Sequence, residues 1–224
     1  MKPSEIAQYI DHTVLTSEKT EKDILILCNE AMENHFYSVC INPCHIPFAK
    51  KVLQNSNVNI CTVIGFPLGA NTTAVKVFET EDAIANGATE VDMVINVGWI
   101  KSGKWDSVQD EIKQILNVCN GTALKVILEN CLLTKEEIVK ACEICRDLNV
   151  AFVKTSTGFS KSGATVEDVK LMRQTVGDKI GVKASGGVRD TQTAVAMIEA
   201  GATRIGASAG IAIIKGLTDS NGQY

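Results

Sequence analysis

The sequence predicts a single-domain α/β fold, a TIM (β/α)₈ barrel, and three observations lead to this prediction. Eight short runs rich in β-branched residues recur along the chain, and amphipathic stretches with helix-start signals separate consecutive runs. The runs start 21 to 34 residues apart, a spacing that fits one strand and one helix per unit. Regular alternation indicates a parallel sheet, and eight units exceed the about five or six strands of an open doubly wound sheet.

The predicted strands follow in chain order: Ile10 to Leu15, Ser38 to Asn42, Asn59 to Gly65, Glu90 to Asn96, Leu124 to Glu129, Ala151 to Ser156, Ile180 to Ser185 and Arg204 to Ser208. Two intervening helices begin with a threonine followed three residues later by an acidic residue, at Thr134 and Thr165, which predicts capping boxes. Ala209 to Leu217 is the expected last helix. We therefore expect a barrel domain over residues 1–217 and a polar tail over residues 218–224.

Composition and charge exclude several classes of protein. Apolar residues make up 45% and charged residues 21% of the chain, which excludes disorder, collagen and coiled coil. The net charge is −4 and the longest basic run is Lys50-Lys51, so we expect neither nucleic acid nor a membrane as partner. Apolar stretches are strand-sized and the first residues lack a signal-peptide core, which predicts a cytoplasmic protein.

The cysteines and histidines give little support to a disulfide framework or a metal site. Eight cysteines are scattered along a long chain, which favours reduced thiols. Cys142 and Cys145 form a CxxC, but they share the apolar face of a predicted helix and are expected to pack in the core. The three histidines do not stand at zinc-ligand spacing. We expect no metal and no cofactor.

Charged residues recur on the strand faces that point into the barrel. Side chains alternate along a strand between the helix layer and the barrel axis, and this parity places Asp92, Lys125, Lys154 and Lys183 inside. Buried ammonium groups need partners. A salt-bridge network with Asp92 or Glu129 is the simpler explanation for any one lysine. One or two carboxylates are too few, however, to pair with all three lysines.

The alternative explanation is Schiff-base chemistry. A lysine in a dry site beside a second cation loses its proton near neutral pH and becomes a nucleophilic amine. The iminium that it forms with a carbonyl accepts electrons, so a neighbouring carbon–carbon bond can break or form while a carboxylate and a lysine transfer protons.

Glycine-rich loops follow the last strands and predict a phosphate site. Gly158 comes after the sixth strand, Gly186 and Gly187 after the seventh, and Gly206 and Ser208 at the eighth. Loops after strands seven and eight of a barrel commonly bind phosphate through backbone N–H groups, which glycine lets approach closely.

Two lysine segments carry a resemblance to a known family. Val153 to Phe159 and Val182 to Val188 resemble the two lysine motifs of the deoxyribose-phosphate aldolases. Further segments agree in order along essentially the whole chain: Ile10 to Thr13, Val39 to Pro43, Val63 to Gly69 and Glu90 to Asn96. The chain departs from some members at Ala209, where they have a second serine, and at Asn130, where threonine is commoner.

The resemblance implies a metal-free class I aldolase that reversibly cleaves 2-deoxy-D-ribose 5-phosphate to D-glyceraldehyde 3-phosphate and acetaldehyde in deoxyribonucleoside catabolism. Lys154 matches the Schiff-base lysine, Lys183 the second lysine that makes it a better nucleophile, and Asp92 the proton-relay carboxylate. Other matches are to phosphate-contacting positions at Gly158, Gly186, Gly187, Gly206 and Ser208, and to substrate-side positions at Asp11, Thr13 and Cys40. Members often end in a tyrosine on a mobile tail, which makes Tyr224 a candidate proton relay.

Two alternatives remain open from the sequence. A catalytically silent phosphosugar-binding barrel would keep the glycine loops but would not need Asp92, Lys154 and Lys183 together. A Schiff-base lyase of the same barrel class could act on another phosphorylated sugar. The expected partners are a phosphorylated sugar, a small aldehyde, and further copies of the chain in a homodimer or other homo-oligomer.

Overall fold

The computed structural model describes residue 1 and residues 3–217, without the side chains of residues 3 and 4. The predicted tail over 218–224, with Tyr224, lies outside the described residues. Eight parallel strands form a closed barrel in which each strand pairs with the next and β8 pairs with β1. The predicted (β/α)₈ barrel is confirmed.

The strands are β1 (Ile10–Val14), β2 (Ser38–Ile41), β3 (Asn59–Ile64), β4 (Glu90–Val94), β5 (Ala123–Ile127), β6 (Phe152–Lys154), β7 (Gly181–Ser185) and β8 (Arg204–Ala207). The helices are α1 (Pro3–Ala7), α2 (Glu21–Glu33), α3 (Ile46–Val52), α4 (Thr73–Asn86), α5 (Val97–Lys101), α6 (Trp105–Cys119), α7 (Lys135–Asp147), α8 (Val166–Val176), α9 (Thr191–Glu199) and α10 (Gly210–Lys215). Within the described part of the chain, none of these helices is long and apolar enough to cross a bilayer.

Most predicted strands lie within one or two residues of their observed bounds. Strand β6 is the shortest, because Thr155 and Ser156 leave the strand and enter the loop at the barrel mouth. The last helix is Gly210–Lys215, so the prediction of Ala209 to Leu217 is too long. It stops because Gly216 adopts a left-handed conformation with φ 72°.

Only one of the two predicted capping boxes forms. At Thr134 the side chain accepts from the N–H of Glu137, whose carboxylate accepts from the N–H of Thr134 in return. At Thr165 the side chain accepts from the N–H of Asp168 at 3.1 Å, but the Asp168 carboxylate accepts from Lys135 at 2.6 Å instead of returning the bond. The nearby cation on the adjacent helix competes for the carboxylate.

Two apolar clusters pack against the strands, a large one between the strands and the helices and a small one inside the barrel that consists of Leu15, Cys40, Cys61 and Val63. Outward-facing residues such as Val91, Met93 and Val126 are completely buried against the helices. Cys142 and Cys145 of α7 belong to this layer, as predicted. All eight cysteines lie within the described residues and are free thiols.

A buried ion pair joins α4 to α6 on the outside of the barrel. Lys76 Nζ lies 2.8 Å from Glu111 Oε2 and donates to the carbonyl oxygen of Val94, at the end of β4, at 2.8 Å. Both side chains are fully buried. Burial lowers the pKa of Lys76 and raises the pKa of Glu111. The pair therefore fixes the end of the strand that carries Asp92.

We predict that Lys76→Met lowers the free energy of unfolding by about 3–5 kcal/mol, because it leaves the buried Glu111 carboxylate without its partner. The double variant Lys76→Met with Glu111→Leu is expected to recover most of this loss. Urea denaturation measures both. Equal losses in the single and double variants would contradict the prediction.

Candidate active site

The barrel interior contains a cluster of charged side chains from six strands. Its members, each at most 4% exposed, are Asp11, Glu90, Asp92, Lys125, Lys154, Lys183 and Arg204. Each belongs to the inward-facing parity of its strand, because in a pleated strand every second side chain points to the same face. The structure thus brings together the four inward residues predicted from parity and adds three more.

The carboxylate of Asp92 is the centre of this cluster. Its Oδ1 lies 2.8 Å from Lys125 Nζ, and its Oδ2 lies 2.7 Å from Lys154 Nζ and 2.8 Å from Lys183 Nζ. The Cys61 thiol also donates to Oδ1, at 3.1 Å. Burial disfavours a charged carboxyl, but the three ammonium groups outweigh it and hold the pKa of Asp92 well below its usual range.

The network is completed deeper in the barrel by Asp11, Glu90 and Arg204. The expectation that only one or two carboxylates face the three lysines was therefore wrong. Arg204 Nη1 lies 2.8 Å from Asp11 Oδ1 and 2.9 Å from Glu90 Oε2. The guanidinium also stacks on the Tyr37 ring, 3.5 Å from its centroid. The alternation of side chains that places Asp92 inside the barrel also places these residues inside, so the sequence carried the signal for them. Glu129, the other carboxylate considered for the lysines, makes its hydrogen bonds elsewhere.

Two of the three lysines are firmly held in their charged form. Lys125 lies 2.7 Å from Glu90 Oε2 in addition to Asp92, and Lys183 is paired with Asp11 in addition to Asp92. Burial works against the ammonium form, but these carboxylates raise the pKa of Lys125 and Lys183 above the usual lysine value. The salt-bridge explanation is therefore correct for these two lysines.

Lys154 differs from the other two lysines. Among the described residues its ion pair is with Asp92 Oδ2 alone, an oxygen that it shares with Lys183. The cluster holds four cations and three carboxylates. Lys125 and Lys183 each hold a second carboxylate besides Asp92, whereas Lys154 does not. Lys154 is thus the amine best placed to act as a nucleophile.

The predicted substrate-side residues Asp11, Thr13 and Cys40 lie around this cluster. Asp11 is an ion-pair partner, as described, and Thr13 Oγ1 donates to the Asp11 carbonyl oxygen at 2.7 Å. Cys40 is fully buried beside Cys61, and hydrogen bonding with the Cys61 side chain lowers the pKa of Cys40. Although Cys40, Cys61 and Asp92 offer converging ligand atoms, both oxygens of Asp92 already accept from ammonium groups.

The predicted phosphate loops meet at the C-terminal mouth of the barrel. Gly158, Gly186 and Gly187 have φ values of 89°, 84° and 80°, a left-handed conformation that favours glycine. A Cβ on Gly186 would lie 3.7 Å from Cα of Gly158, so the two loops are adjacent. Gly206 pairs with Ser185 across β7 and β8, which places Ser208 at the same end. Of these glycines Gly187 is exposed and Gly158 is half-buried, so an anion can approach the mouth at these two positions.

Glu129 is a mouth residue whose role the sequence did not suggest. It follows β5 with a left-handed φ of 56°, which is unfavourable for glutamate. Its carboxylate accepts from the N–H of Thr157 at 3.2 Å and from the Thr157 hydroxyl. Burial raises the pKa of Glu129. The strained residue thus fixes the loop that follows Lys154 and precedes Gly158.

The fold and the lysine cluster define the chain as a barrel enzyme of the aldolase class, and comparison with known proteins identifies its family. A family model described as DeoC/LacD family aldolase matches residues 5–216. The chain belongs to this family of carbon–carbon lyases.

Relatives of known name or structure agree with this assignment. A curated deoxyribose-phosphate aldolase from Mannheimia succiniciproducens is 72% identical over 224 residues, 100% of both chains. The structure of a putative deoxyribose-phosphate aldolase from Coccidioides immitis matches with a TM-score of 0.93 and 40% identity, over 96% of this chain and 86% of that one. A deoxyribose phosphate aldolase from Aeropyrum pernix, described as tetrameric, matches with a TM-score of 0.89 and 31% identity, over 96% and 91%.

We predict that Lys183→Leu slows reaction of the Lys154 amine with acetaldehyde more at pH 7 than at pH 9. Removing this cation leaves the Asp92 charge less compensated, so Lys154 keeps its proton to higher pH. Borohydride trapping rates across this pH range measure the effect. An equal loss at every pH would mean that Lys183 acts mainly as an acid or base.

Proposed function

We propose that the chain is a class I aldolase that reversibly cleaves 2-deoxy-D-ribose 5-phosphate into D-glyceraldehyde 3-phosphate and acetaldehyde, in the breakdown of deoxyribonucleosides. The observation that carries the proposal is the sharing of Asp92 Oδ2 between Lys154 and Lys183, at 2.7 and 2.8 Å. This arrangement supplies a reactive amine, a fixed cation and a carboxylate at one point. The names of the full-length relatives support the choice of substrate.

In the first step the Lys154 amine attacks C1 of the open-chain sugar. In the resulting carbinolamine the oxygen takes up the proton that the Lys154 ammonium group gave up to become the amine and leaves as water, so that C1 and Nζ are joined as an iminium. The iminium retains a positive charge where the ammonium group of Lys154 lies in the free enzyme. The surrounding carboxylates therefore stabilise both states of the residue.

In the second step the C2–C3 bond breaks. The proton of the C3 hydroxyl passes to Asp92, directly or through water, and the electron pair of the bond moves into the iminium to give an enamine. Glyceraldehyde 3-phosphate leaves. The enamine then takes a proton at C2, and water hydrolyses the imine to release acetaldehyde and free Lys154.

The other predicted site residues bind the substrate or act through Asp92. In this proposal Lys183 stays protonated and polarises the groups around Asp92, while Gly158, Gly186, Gly187, Gly206 and Ser208 bind the phosphate through backbone N–H groups and one hydroxyl. Asp11, Thr13 and Cys40 shape the substrate side. We further propose that the protein is cytoplasmic and forms a homo-oligomer. Sedimentation of the purified protein would test the oligomeric state.

We predict that borohydride reduction in the presence of acetaldehyde or 2-deoxy-D-ribose 5-phosphate labels Lys154. Peptide mass mapping locates the adduct, and Lys154→Met provides the matched unlabelled control. Labelling of Lys125 or Lys183 in the native chain would overturn the assignment. Cleavage of another phosphorylated sugar in preference to the deoxysugar would overturn the substrate.

We also propose that Tyr224 relays a proton at C2 of the enamine. A phenol, with an ordinary pKa of about 10, can donate or accept such a proton. Tyr224→Phe is expected to slow solvent-deuterium incorporation into acetaldehyde and to leave borohydride trapping at Lys154 unchanged. Unchanged incorporation would remove Tyr224 from the mechanism.

A further inference from the structure

Two serines lie just beyond the catalytic lysines, Ser185 as the last residue of β7 and Ser156 in the loop after β6. Lys154 and Lys183 are register partners across β6 and β7, and Ser156 and Ser185 each come two residues later. Ser156 and Ser185, here called the serine pair, therefore lie one step nearer the mouth than the lysine amines. A Cβ on Gly186 would lie 3.6 Å from the Ser156 side chain, and a Cβ on Gly206 would collide with the Ser185 hydroxyl. The pair thus adjoins the predicted phosphate loops.

The hydroxyls of the serine pair lack hydrogen-bond partners within residues 3–217, although they are buried. Ser156 is 0% and Ser185 1% exposed, and neither Oγ has a partner there. Burying an unsatisfied hydroxyl costs free energy, so such a group in a native structure calls for an explanation. Ser38, another buried serine in the interior, has its partner and donates to Asp11 at 2.7 Å.

The backbone around Ser185 is held in place independently of its hydroxyl. Thr155 Oγ1 donates to the Ser185 carbonyl oxygen and accepts from the Ser185 N–H, both at 3.1 Å. The Ala164 N–H donates to the same carbonyl oxygen at 3.0 Å. The Ser185 hydroxyl takes part in none of these bonds, and the fixed backbone holds it in one position, where it can meet a ligand.

The position of the serine pair matches the middle of the substrate. A five-carbon chain joined at C1 to Lys154, with its phosphate on C5 at the glycine loops, must pass C3 and C4 over the residues between them. The C3 oxygen is the reacting group that exchanges its proton with Asp92. The C4 hydroxyl is the remaining polar group and lies on the side of the phosphate.

We propose that Ser185, assisted by Ser156, binds the C4 hydroxyl of the sugar phosphate and makes the enzyme selective for acceptor aldehydes that carry a hydroxyl at the adjacent carbon. This inference rests on the proposed function. The C4 hydroxyl of the sugar is the C2 hydroxyl of glyceraldehyde 3-phosphate, so the contact acts in both directions of the reaction.

The test compares two acceptors in the condensation with acetaldehyde. D-Glyceraldehyde 3-phosphate carries the hydroxyl, whereas 3-oxopropyl phosphate lacks it and keeps the phosphate. Ser185→Ala is expected to lower kcat/KM about fivefold for the first acceptor and to change it less than about twofold for the second, because one neutral hydrogen bond is lost. Ser156→Ala is expected to act in the same direction with a smaller loss.

Ser208→Ala is the contrasting variant, because loss of a phosphate contact should lower kcat/KM for both acceptors equally. Melting temperatures check folding, and Ser185→Ala is expected to be at least as stable as the native chain, since it removes an unsatisfied hydroxyl without leaving a large cavity. Equal losses of Ser185→Ala on both acceptors, or no loss on either, would overturn the inference. Failure of the native chain to condense acetaldehyde with either acceptor would instead refute the proposed function.

Discussion

A carboxylate buried at the centre of a barrel is stable only when positive groups surround it, and Asp92 is in this situation. Three ammonium groups from three neighbouring strands converge on its two oxygens. Each of these lysines would be costly in the interior without the carboxylate, and the carboxylate would be costly without them. Lys154 is the lysine of the three whose ion pair among the described residues is with Asp92 alone, and Lys125 and Lys183 hold the same carboxylate.

The strands that carry the lysines also set the order of polar groups between the lysines and the barrel mouth. Above the lysines the inward positions change from charged residues to serines and then to glycines with left-handed backbone. Lysine amines, neutral hydroxyls and glycine backbone therefore follow one another towards the mouth. A linear substrate with an aldehyde at one end and a phosphate at the other matches this order of chemistry.

Parity and element spacing predicted much of this arrangement from the sequence. The eight strands follow from the β-branched runs and their spacing, and the inward positions of the lysines and Asp92 follow from side-chain alternation along the strands. Glu90 and Arg204 were not predicted, because they lie deeper in the barrel than the charges near the mouth, and Asp11 was predicted as a substrate-side residue and not as an ion-pair partner. The left-handed conformation of Glu129 could not be predicted, since nothing in a glutamate side chain favours it and only the tertiary bonds to Thr157 hold it there. The lost reciprocal bond at Thr165 likewise depends on a lysine of a different helix.

The ion pair between Arg204 and Asp11 joins residues 193 positions apart, one on the last strand and one on the first. Until β8 is in place, Asp11 and Glu90 lack the guanidinium that compensates them, and burying them is unfavourable. A partly assembled barrel therefore gains little by closing around its polar centre. Folding should thus be highly cooperative, with long-range closure late in the process, and the reactive lysine environment should come into existence only when the whole chain has assembled.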